Sequence, residues 1–115
     1  MLTAEQILKA DDSSQREKVD VPEWGGHVYV RVLSGAERDR FELIVQDGVA
    51  NKATANIRAS LCVRAICDAE GKRIFTDNQA ANLATKSSVA LDRVFEVAQR
   101  LNKLKDEDIE DLQKN

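Results

Sequence analysis

The spacing of apolar and polar positions changes along the chain, and each spacing predicts a different element. Thr3 precedes Ala4-Glu5-Gln6-Ile7-Leu8-Lys9-Ala10, and Thr3 with Gln6 three residues later has the form of a capping box. This predicts a short helix with Ile7 and Leu8 as its apolar side, ended by the polar run Asp11-Asp12-Ser13-Ser14-Gln15, a linker. Glu17 to Val21 and His27 to Leu33 alternate polar and apolar residues, with Val28, Val30 and Val32 on one face. Between them lies Pro22-Glu23-Trp24-Gly25-Gly26, so residues 17–33 read as a β-hairpin. Pro22 lacks an N–H and suits a strand end.

From residue 34 onward the spacing is helical. Ser34-Gly35-Ala36-Glu37 forms a second capping box and starts a helix through Phe41 and Val45, with Asp47-Gly48 as the expected stop. Ala53 to Cys67 is Ala-rich and reads as a helix, the most buried one, because Leu61 to Cys67 is apolar on nearly every side. For those last residues spacing leaves helix and strand both open. Asp68 to Arg73 is a turn, Ile74-Phe75 a short extended segment, and Thr76-Asp77 caps a helix through Leu83. Ser87 or Ser88 starts the clearest helix, with Leu91, Val94, Phe95, Ala98 and Leu101 on one stripe and Glu96 and Arg100 as an outward i,i+4 pair. Residues 105–115 are a charged tail in which Ile109 and Leu112 are the only apolar residues. The expected fold is a single α+β domain over residues 1–115, mainly α-helical. Residues 1–16 are helix and linker, 17–33 an N-terminal hairpin, and 34–104 a small helical bundle.

Composition narrows the function. The chain has 115 residues, 43% hydrophobic but only 4% aromatic, so its core is aliphatic. The net charge of -3 gives no whole-chain basic footprint for nucleic acid. No apolar run approaches the ~20 residues that span a bilayer. Met1 to Gln6 has neither the basic nor the apolar part of a signal peptide, so the expected location is the cytoplasm, with Cys62 and Cys67 reduced.

Little chemistry assembles. Cys62 and Cys67 lie five apart in a predicted helix, which puts them on different faces, and no further Cys or His pair completes a metal set. They read as buried, inert thiols. His27 is the single histidine and sits in the hairpin, away from any nucleophile signature. Gly25-Gly26 precedes a strand, so it is a turn and not a phosphate loop. Arg58, Arg64, Lys72 and Arg73 lack interleaved aromatics and read as solvated surface. The expectation is therefore a non-enzyme without catalytic residue, cofactor or metal. Interaction surface remains. Trp24 and Tyr29 are the only Trp and Tyr and lie in or beside the hairpin, with Arg31 close by. Its open edge could accept a strand, or Trp24 could simply cover the core. In the tail, Ile109 and Leu112 either dock a short helix or belong to a solvated one.

Several segments carry a resemblance. Val19-Asp20-Val21-Pro22-Glu23-Trp24-Gly25-Gly26 followed by Val28, Val30 and Arg31 is similar to the tail assembly chaperones of long-tailed bacteriophages and prophages. Leu33-Ser34-Gly35-Ala36-Glu37-Arg38 resembles their strand-to-helix step. Asp68-Ala69-Glu70-Gly71-Lys72-Arg73-Ile74-Phe75-Thr76-Asp77 resembles their central acidic turn. Leu101-Asn102-Lys103-Leu104 with Glu107-Asp108-Ile109-Glu110 resembles their C-terminal end. The order and spacing of these segments carry the resemblance, from about residue 17 to the end. It implies a non-catalytic protein of the host bacterial cytoplasm, absent from the mature virion. Such a protein binds the tape measure protein, keeps it soluble and helps recruit tail tube protein, with no nucleic acid or membrane partner. Self-association is left open. Many members also exist in a longer, frameshifted form, and the final Lys114-Asn115 fits an A-rich slippery site. Two other readings stand beside this one: a head–tail connector or structural adaptor, and a small DNA-associated regulator.

Overall fold

The computed structural model describes residues 1–50 and 56–114. In order these form α1 (Ala4–Lys9), β1 (Arg16–Val21), β2 (Gly26–Arg31), α2 (Gly35–Ala50), α3 (Ile57–Ala65), β3 (Ile66–Cys67), α4 (Ala80–Leu83), α5 (Ser88–Leu101) and α6 (Asp106–Gln113). One-turn 3₁₀ segments at Pro22–Trp24 and Asp77–Gln79 join β1 to β2 and lead into α4. The expected α+β class, mainly helical behind an N-terminal hairpin, is what the chain adopts.

The hairpin pairs Arg16 with Arg31 through Val21 with Gly26. Its alternation buries Val19, Val21 and Val30 on one face, which packs on α5. Gly25 closes the turn at φ +77, a left-handed conformation that costs glycine little. β3 adds to the free side of β2, pairing Tyr29 with Cys67 and Val30 with Ile66, so the sheet order is β1-β2-β3. Leu61 to Cys67 is thus both helix and strand. α3 ends at Ala65 and the chain extends where the edge of β2 offers ladder hydrogen bonds.

α3 is the center of the core. Ala59 through Ala65 are all buried, and α3 packs on α5, α4 and α2. The start of the helix expected from Ala53 lies partly outside the described residues. α5 carries the amphipathic stripe: Ala90, Leu91, Val94 and Ala98 are buried, and Phe95 and Leu101 pack at the margin.

Four local expectations are corrected. Asp47-Gly48 does not stop α2, which continues to Ala50. A single helical glycine costs only about 1 kcal/mol, which burial of Phe41 and Val45 on the same helix outweighs. Ile74-Phe75 is a bend and not an extended segment, because only Arg73 bridges to Cys67. Arg100 does not turn to Glu96 but crosses to Glu17 of β1 at 2.6 Å, since α5 lies along that strand. Arg64 is not solvated surface but sits 1% exposed in the interior.

Candidate functional site

Each predicted contact residue can now be placed. Trp24 ends the 3₁₀ turn at the hairpin tip, half-buried and packed against the core, so it covers the core and shows one side to solvent. Tyr29 is half-buried on the opposite face of β2 from Val30, with His27 edge-on at 5.7 Å between ring centers. Arg31 is engaged within the chain. Its guanidinium forks onto Glu37 at 3.0 and 2.6 Å and donates to the Arg64 carbonyl at 2.7 Å. On the tail, Ile109 is 8% exposed and Leu112 half-buried, where α6 packs on α2. Arg31 thus ties the hairpin to α2, the helix on which the tail residues also rest.

Around Arg31 lies a charged collar that sequence reasoning did not find. α3 ends by turning into a strand, which leaves carbonyls at its C-terminus without helical partners. Arg31 reaches the carbonyl of Arg64, Arg73 that of Val63 at 2.9 Å, and Arg64 that of Ser60 at 2.7 Å. Three cations at a helix C-terminus also oppose its dipole favorably. Glu37 and Asp77 balance them, with Arg73 2.7 Å from Asp77 and Arg64 3.7 Å. Burial acts to raise the Glu37 carboxyl, but hydrogen bonds from Arg31 and Ser34 outweigh it and hold it below the usual range. The Arg73 hydrogen bond, against some burial, likewise holds Asp77 low. Burial lowers the Arg64 guanidinium pKa. One signal was present in the sequence: a lone arginine inside the apolar run Ala59 to Cys67 has to be buried and therefore bonded.

Asn102 is a second missed residue. Its side chain accepts from the Leu33 N–H at 2.7 Å and donates to the Ala98 carbonyl at 2.9 Å, tying the hairpin exit to the end of α5. Of the other basic candidates, Arg58 pairs with Asp92 at 2.5 Å. Burial pushes the Cys62 thiol up to about 12, so that sulfur stays protonated and unreactive. Cys67 is raised the same way, and both cysteines are free and buried. Among the described residues no group of three or more His, Cys, Asp or Glu could hold a metal ion. No helix among them is long and apolar enough to cross a membrane.

The surface also holds a groove of about 580 Å³ between α2, α3, α5 and α6. Val45, Ile57, Leu91, Phe95 and Ile109 are apolar parts of its lining, and Arg58, Lys86, Asp106 and Glu110 are its charged ones. A concave apolar surface with charged residues in its lining suits a protein that binds other proteins.

Comparison with known proteins agrees with that class. The sequence model of the family described as phage tail assembly chaperone matches residues 3–115. The chain therefore belongs to the phage tail assembly chaperone family. Its fold is similar to the solved structure of the bacteriophage HK97 tail assembly chaperone. The TM-score is 0.61 at 22% identity, covering 89% of this chain and 95% of that one. No curated protein sequence matches the chain.

Proposed function

We propose that this chaperone binds the tape measure protein, keeps it soluble before assembly and helps recruit tail tube protein during tail morphogenesis. It acts without catalysis in the host bacterial cytoplasm and leaves before the virion is complete. Family membership over residues 3–115 is the observation that carries this reading, and it favors a chaperone over a connector or a DNA-associated regulator. The surface is compatible with it. Releasing a client requires modest, dispersed contacts instead of one deep pocket, and a net charge of -3 works against self-precipitation. The hairpin, through Trp24, Tyr29 and the outer side of Arg31, is one contact region; the tail, through Leu112 and Ile109, is the other. Ile109 is 8% exposed and lines the groove, so a partner seated there meets it alongside α6.

The test is a pull-down of the tagged chain from cells assembling the phage, with mass spectrometry of what is retained. Recovery of the tape measure protein together with tube subunits is the expected outcome. Recovery of portal or head-completion proteins instead, or of DNA released at high salt, would overturn it. Trp24→Ala and truncation after Leu104 should each weaken that recovery while circular dichroism still shows a folded domain.

A further inference from the structure

The two faces of the sheet carry different residues. Val19, Val21 and Val30 lie on the inner face, buried against α5. Side chains alternate along a strand, so the outer face carries Arg16 opposite Arg31, Lys18 opposite Tyr29, and Asp20 opposite His27. Arg16, Lys18, Asp20 and His27 are exposed, and Tyr29 is half-buried. The single tyrosine and the single histidine of the chain therefore stand together on one open surface. Arg31 is drawn off it, onto Glu37 and the end of α3.

An open face is ordinary for an antiparallel sheet; what distinguishes this one is unused bonding capacity. Elsewhere Arg38, Arg40, Arg58, Arg73, Arg93 and Arg100 each face a carboxylate. Lys18 and Lys72 are in no ion pair among the described residues. Arg16 donates to the carbonyls of Ala69 and Ser14, at 2.8 and 3.0 Å, and pairs with no carboxylate. Its bond to Ala69 ties the turn that carries Lys72 to the start of β1, and the charges of Arg16 and Lys72 both act on Asp68. The Tyr29 ring stands edge-on to His27, and its hydroxyl has no hydrogen-bond partner among the described residues. Three cations without a paired carboxylate, with a phenol donor beside them, thus gather on a chain of net charge -3.

We propose that this face binds an acid-rich segment of a protein partner, with Lys18 and Lys72 as the charge contacts beside Tyr29. Charge complementarity selects the occupant. A partner carboxylate gains most at a cation that has none of its own, and tyrosine and arginine are the residues that protein interfaces favor. Asp20 lies on the same face and Asp68 beside it. A continuous polyphosphate would meet both acids, whereas a protein segment can set its carboxylates on the cations and a basic or neutral residue at Asp20. Alternate residues of β1 are about 6.8 Å apart, the repeat of an extended segment laid along them. The inference rests on the client-binding reading and adds to it the surface used and the chemistry of the segment bound.

Carbodiimide coupling of the complex retained in the pull-down tests it, because this reagent joins an amine to a carboxylate only where the two touch. Peptide mapping should find Lys18 or Lys72 joined to an Asp or Glu of a tail protein, within a segment holding more acids than bases. The double variant Lys18→Glu/Lys72→Glu should retain about tenfold less of that protein, with an unchanged circular dichroism spectrum, since both residues are exposed. Lys103→Glu, an exposed cation at the end of α5, should retain as much as wild type. A wild-type chain that retains no tail protein would remove the client-binding reading itself. A complex that forms but survives the double charge reversal, or loses as much with Lys103→Glu, would overturn the inference alone. So would coupling of neither lysine to the partner, or retention that nuclease abolishes, which would give the face to a nucleic acid.

Discussion

α3 and the two terminal helices are held in opposite ways. α3 has almost no local support: its N-cap is Asn56 in a left-handed conformation with no side-chain cap bond. Its stability comes from burial of Ala59 through Ala65 and from Arg31, Arg73 and Arg64 closing its C-terminal carbonyls. α1 and α6 are the reverse. α1 has a complete capping box and nothing buried. In α6 the Asp108 carboxylate accepts from the Lys105 N–H at 2.8 Å, acids fill the first turn, and Ile109 is the one buried side chain. Local chemistry can start a helix, but only packing holds one in place.

Breaking the center should cost most. Arg64→Ala removes a buried side chain together with the bonds to Ser60 and the charge beside Asp77. It should lower unfolding free energy by about 3 kcal/mol in urea titration. Arg64→Met, which keeps most of the volume, should recover much of that loss. Recovery limited to a small fraction would mean that hydrogen bonding to the helix end outweighs packing.

The edge of the body comes next. Ile109→Ala should cost about 2 kcal/mol, expressed locally. Hydrogen exchange should accelerate across α6 and leave α3 protected. Equal loss of protection in both helices would show that α6 is part of the cooperative core and erase the contrast.

Acid sharpens it further. Glu37 and Asp77 have folded pKa values below their usual ones. Their contribution is fully present at neutral pH and is lost as pH falls below about 4, through the folded values. The melting temperature should therefore drop steeply in that window. Glu37→Gln should start about 1 kcal/mol lower at pH 7 and show a shallower drop. An acid profile parallel to wild type would remove Glu37 from the collar.

The smallest effect belongs to α1. Thr3→Ala should cost that helix about 1 kcal/mol, yet leave the melting temperature of the dilute chain unchanged, because α1 buries nothing. A measurable shift would show that α1 already rests on the body.

What the residues alone determined is local. Thr3 with Gln6 and Ser34 with Glu37 start helices because their hydrogen bonds close within four residues. The Val19, Val21 and Val30 alternation places a hairpin face, and the Leu91, Val94 and Ala98 stripe places α5, because burial follows the period of the backbone. The segments resembling tail assembly chaperones could be read for the same reason, being turns and caps with fixed chemistry. Tertiary structure alone decided the rest. It chose the partners of Arg64, gave Glu37 a second task beyond capping α2, and turned Arg100 from Glu96 to Glu17. It also split Leu61 to Cys67 between helix and strand, and set a groove among four helices. These features join residues distant along the chain. Which distant groups meet depends on how whole elements pack, and no short-range pattern encodes that.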